Sequence, residues 1–77
     1  IKVENLRKFL LEGWKGSLKR EEELKRLDEC IRLRLEGKID QKEFQRRLDL
    51  PFKEGGVGLN KRTARNFAKK LELLLLK

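Results

Sequence analysis

Apolar residues recur along this chain at intervals of three and four, set among charged ones, and glycine or proline interrupts the rhythm three times. Val3, Leu6, Phe9, Leu10 and Trp14 share one face of a first helix expected over about residues 3–13, with Gly13 and Gly16 breaking it. Leu24, Leu27, Ile31 and Leu35 form the stripe of a second helix, flanked by Cys30, while Leu33 falls to one side and widens the buried face. Ser17 is its expected N-cap, Glu21, Glu22 and Glu23 suit the positive end of its dipole, and Gly37 sits just past its end. A third helix, about residues 41–48, turns Phe44 and Leu48 inward, is capped by Asp40 above Ile39, and is stopped by Pro51. The fourth, about residues 59–76, buries Ala64, Phe67, Ala68, Leu71, Leu74 and Leu75 behind an Asn60 N-cap. The expected fold is all-α: a small bundle of four helices in a single domain over residues 1–77. The loop from Asp49 to Leu59 holds Gly55, Gly56 and Gly58 and reads as the most mobile segment.

Charge changes this picture. The net charge is +8 and 44% of the residues are Lys, Arg, Asp or Glu, yet the apolar positions are periodic rather than sparse, so disorder is not expected. Few amides accompany this wealth of Lys, Arg and Glu, which is the composition of hyperthermophile proteins. The excess charge is uneven. Residues 1–50 carry fourteen bases against eleven acids, whereas residues 51–77 carry seven against two. Between Asn60 and Lys70 stand Lys61, Arg62, Arg65, Lys69 and Lys70 with no acid among them. The start of the fourth helix thus adds two cations to its own unbonded N–H groups, which suits phosphate. A basic solvated face with no partner is the plainer reading of the same run.

Residues Gly58-Leu59-Asn60-Lys61-Arg62-Thr63-Ala64-Arg65-Asn66-Phe67 resemble the turn and second helix of helix-turn-helix and winged-helix DNA-binding proteins. A glycine marks the turn there, an apolar residue follows it, and two more come five and eight positions later, as Leu59, Ala64 and Phe67 do here. The resemblance covers about residues 55–76. It implies that Asn60, Lys61, Arg62, Thr63, Arg65, Asn66 and Lys69 face DNA. Pro51 and the loop to Gly58 make the turn longer than in the tight form, as in a winged-helix relative or a divergent trihelical unit. Lys70 joins the set on charge, and Arg46 and Arg47 on the third helix could grip the backbone beside it. Within the set, Arg65 and Asn66 are the candidates for base edges, because Arg matches guanine and Asn adenine.

Other chemistry finds little support. The chain has no His and a single Cys, Cys30, which removes internal disulfides, thiol metal clusters and the commonest catalytic base. Cys30 is expected in the core, and so is Trp14, for which stacking on a nucleic-acid base is the alternative reading. The glycines near residue 56 lack the Gly-Lys-Ser/Thr ending of a phosphate-binding loop. Residues 37–44, GKIDQKEF, are similar to the second half of an EF-hand loop, but the early ligand positions fall on Arg32, Arg34 and Glu36, so calcium is not expected. The segment from Leu24 to Leu48 also resembles the SHOCT helical hairpin, an oligomerisation module with a GxIxxxEF turn. The alternating charges of the second helix, among them Lys25, Arg26, Asp28, Arg32 and Arg34, read as a solvated face. No catalyst, cofactor or membrane span is expected; the expected compartment is the cytoplasm or nucleoid, and the expected partner is nucleic acid, DNA before RNA. Leu73 and Leu76 fall opposite Phe67 and Leu71, so they are expected to meet a second copy or a protein partner. The rival role is that of a protein-interaction module serving a nucleic-acid-processing complex.

Overall fold

The structure, a computed structural model, describes residues 3–14, 16 and 20–75. Among the described residues four α-helices follow one another: α1 (Val3–Leu11), α2 (Glu21–Leu35), α3 (Gln41–Asp49) and α4 (Lys61–Leu75), with a 3₁₀ turn, Phe52–Glu54, between the last two. The fold is the expected all-α bundle. Its core gathers Leu6 and Leu10 from α1, Leu27, Cys30 and Ile31 from α2, Phe44 and Leu48 from α3, and Ala64, Phe67, Ala68 and Leu71 from α4. Each helix contributes one stripe, as the three-and-four spacing requires. Packing is most extensive between α3 and α4, and α1 closes the bundle against both α2 and α4.

The helix ends follow local chemistry. Asp40 accepts the Glu43 amide proton at 2.8 Å through Oδ1, and Asn60 accepts that of Thr63 at the same distance. Each satisfies one of the amides that the first turn leaves unbonded. Gly37, at φ +74°, ends α2 as expected: Lys38 donates to the Leu33 carbonyl and Gly37 to that of Arg34, the paired bonds of a left-handed helix stop. The start of α2 differs from expectation. The helix begins at Glu21, with Arg20 at the N-cap position, and Ser17 lies outside the described residues. An arginine side chain has no acceptor, so it cannot cap. Instead the Glu23 carboxylate accepts from the Arg20 amide at 3.3 Å.

Two apolar residues of the first stripe depart from it. α1 stops at Leu11, ahead of the turn at Gly13. Phe9 is 41% exposed, because Leu6 and Leu10 occupy the inward face and Phe9 lies to its side, near the Lys70 ammonium. Trp14 falls beyond the helix and packs edge-to-face on Phe67, with ring centroids 5.5 Å apart. Cys30 is core, as expected, and burial pushes its thiol up to about 11.

Candidate nucleic-acid interface

α4 divides its residues sharply. Thr63, Ala64, Phe67, Ala68 and Leu71 are buried, while Lys61, Arg62, Arg65, Asn66 and Lys69 are exposed, as is the capping Asn60. Among the described residues, Lys61, Arg62, Arg65 and Lys69 have no carboxylate within salt-bridge distance. The first acid of the helix, Glu72, is taken by Arg34 of α2, which reaches both its oxygens, at 2.9 and 2.7 Å. Two members of the expected set stand apart. Thr63 is 7% exposed, one helical turn before Phe67 on the same stripe, and so does not share the outward face. Lys70 is half-buried and turned toward α1, its Nζ 3.4 Å from the Glu12 carbonyl.

A cleft runs along each side of the exposed face. One, of about 490 Å³, lies between α3 and α4 and is lined by Lys42, Gln45, Arg46, Asp49, Lys61 and Arg65. It brings Arg46 beside α4, as expected, but Arg46 arrives partnered. Glu43 accepts from Arg46 at 3.0 and 2.7 Å and from Arg47 at 2.9 Å. Those bonds, with Arg46 first, hold the Glu43 carboxyl down at about 2 and raise the Arg46 guanidinium in turn. Arg47 is not among the cleft residues. Lys42 and Gln45 were not anticipated, although their spacing before Arg46 and Asp49 already places all four on the outward face of α3. The other cleft, of about 730 Å³, opens toward the α1 turn, where Trp14 and Gly13 face Arg62, Asn66, Lys69 and Leu73.

The segment that positions α4, expected from its glycines to be the most mobile, is tied to α3 by backbone hydrogen bonds. Val57 donates to the Arg47 carbonyl at 3.1 Å, Gly58 to Leu50 at 2.9 Å and Leu59 to Leu48 at 2.9 Å. Val57 is fully buried. Gly56 lies so close to Leu50 that a Cβ there would overlap the Leu50 carbonyl oxygen. Glycine therefore serves close approach at this position. The remaining tie comes from α2. Arg26 lies 3.8 Å over the Phe52 ring and donates to the carbonyls of Phe52 and Gly56. The charged face of α2 is thus only partly solvated: Arg26 holds the loop, Arg34 holds α4, and Asp28 pairs with Arg7 of α1 at 2.9 Å.

Among the described residues, no group of three or more His, Cys, Asp or Glu is placed to hold a metal ion, and no helix is long and apolar enough to cross a membrane. No protein-family model matches the chain, and no curated protein or solved structure matches it significantly.

Proposed function

We propose that this is a small DNA-binding protein that lays the exposed face of α4 against the nucleic acid. The observation that carries the reading is the separation of charge on α4: an apolar half in the core, and an outward half bearing four cations without carboxylate partners among the described residues. Lys61, Arg62 and Lys69 contact phosphates, Lys42 and Arg46 extend the contact along α3, and Arg65 and Asn66 reach base edges. The loop held by Arg26 fixes where α4 stands relative to α3, as a reading element on a rigid scaffold requires.

A matched pair of double variants tests this. Lys25 and Arg32 on α2 are exposed and, like Arg62 and Arg65, have no carboxylate partner among the described residues. Replacing Arg62 and Arg65 with Ala is expected to weaken binding to a selected DNA site at least tenfold more than replacing Lys25 and Arg32, as measured by fluorescence anisotropy. Equal losses would mean that net charge alone drives binding and that α4 reads nothing.

A second reading rests on Leu73, which is 65% exposed on α4. An apolar side chain so placed suits a contact with a second copy of the chain or with a protein partner. Leu76, its expected companion, lies outside the described residues.

A further inference from the structure

The two clefts beside α4 differ in chemistry. The one against α3 is lined by charged and amide side chains alone. The one against the α1 turn combines Arg62, Lys69 and Asn66 with Trp14 and Leu73. A duplex backbone offers phosphate but keeps its bases stacked, so it has no use for an aromatic wall. An unpaired nucleotide offers both a negative phosphate and a flat apolar base. We propose that the Trp14 cleft binds an unpaired nucleotide, its base against Trp14 and Leu73 and its phosphate between Arg62 and Lys69. The protein would then favour duplexes carrying a single-stranded extension. This rests on the reading of α4 as a DNA-contacting helix.

Trp14 is suited to the task because its ring is held in place. Phe67 packs against it from the core with the ring planes at 78°, and Gly16 lies so close that a Cβ there would overlap the indole. Trp14 is half-buried and lines the cleft. A rigid aromatic surface loses little freedom when a base stacks on it. The amide of Asn66, in the same wall, can donate to or accept from whichever edge the base presents. Glu12, the one acid in the lining, sits at the α1 end. Its charge keeps the phosphate toward Arg62 and Lys69.

The chain carries a built-in reporter, for Trp14 is its only Trp and it has no Tyr. The full chain is titrated with a short blunt duplex, and then with the same duplex bearing a short thymidine overhang. The overhang is expected to quench Trp14 fluorescence and to tighten binding about tenfold, toward the lower end of what one stacked base contributes. Trp14→Leu, which keeps an apolar group on Phe67, is expected to lose that gain while binding the blunt duplex as before. Lys69→Ala, which leaves the core untouched, should weaken binding of the blunt duplex, because Lys69 also contacts its phosphates on the proposed reading, and should lower the overhang's added gain as well. If both duplexes bind equally and fluorescence does not change, the cleft proposal fails while DNA binding by α4 stands. If neither duplex binds, both readings fail together. Quenching by a free mononucleotide or an aromatic acidic peptide at micromolar concentration, with none by the overhang, would assign the cleft to that ligand and overturn the proposal.

Discussion

Single side chains at helix starts carry much of the local specification. Asp40 and Asn60 each satisfy an amide that would otherwise lack a partner at the first turn of α3 and α4. Asp40→Ala is expected to cost about 1 kcal/mol, measured by chemical denaturation. Asn60→Ala should cost a similar amount, and a negligible loss at both positions would show that water caps these helices equally well. Glu43 gives a pH-dependent counterpart. Arg46 and Arg47 hold its carboxyl below the ordinary value of 4.5, at about 2. A carboxyl lowered on folding stabilises the fold above its unfolded value, and that contribution disappears as the pH falls through the folded one. The stability advantage of the wild type over Glu43→Gln should therefore be full above about pH 4.5 and vanish by about pH 2. Denaturation midpoints across that window check it, and a gap that does not vary with pH would show that the pairing contributes nothing. The Glu43 side chain remains 30% exposed, so the effect is modest and diminishes with added salt.

At the scale of elements, the decisive one is the connection between α3 and α4. A glycine-rich segment is held by three backbone bonds to α3 and its C-terminal residue, by burial of Val57, and by Arg26 reaching across from α2. The amides of Val57, Gly58 and Leu59 are accordingly expected to resist hydrogen exchange nearly as well as those in the middle of α3. Free exchange at all three would show the loop to be loose. Arg26→Ala should lower protection there before it lowers it in the helices, because it removes bonds only from the loop. Gly56→Ala is expected to destabilise the whole domain, since its Cβ meets the Leu50 backbone rather than a side chain that could rotate away. Arg34 and Glu72 tie α2 to α4 in the same way, a two-bond pair with both side chains only 22% exposed.

For the molecule as a whole, charge placement is what the proposed function rests on. On the proposed reading, contact through α4 would neutralise phosphates and release counterions, so the logarithm of affinity should fall with the logarithm of salt at about −0.9 per phosphate contacted. Lys61→Ala or Lys69→Ala should each reduce that slope by about one unit and weaken all sequences alike, whereas Asn66→Ala should matter only on a preferred site. Titrations at a series of salt concentrations decide this, and slopes unchanged by either lysine variant would remove α4 from the phosphate contact. Self-association belongs to the same scale. On the second reading, in which Leu73, at 65% exposure, meets a second copy instead of a nucleotide in the cleft, sedimentation at tens of micromolar is expected to show a dimer that Leu73→Ser dissociates. A monomer under those conditions would leave Leu73 to another protein or to the cleft it borders.

What the sequence determined by itself is what lies within one helical turn. The four helices, their inward stripes, the caps at Asp40 and Asn60, the stop at Gly37 and the cationic face of α4 all follow from residues three or four apart, whose relative positions are set once the helix forms. The tertiary structure decided the partners of the long charged side chains. Arg26, Asp28 and Arg34 alternate in sign along α2 as if to pair within it, yet each reaches another part of the chain, to residues 21 to 38 positions away. Tertiary packing also decided the fate of residues 55–59. Glycine content argues for freedom, while the bonds to Arg47, Leu48 and Leu50 that oppose it exist only once α3 is in place. Thr63 and Trp14 show the same limit from the side of burial. Motif position puts Thr63 outward, but the direction of its Cβ on α4 puts it in. Trp14 leaves its helix and still joins the core edge, because α4 brings Phe67 to meet it. A sequence fixes which residues face the same way along a helix, and only the packed molecule fixes what each face meets.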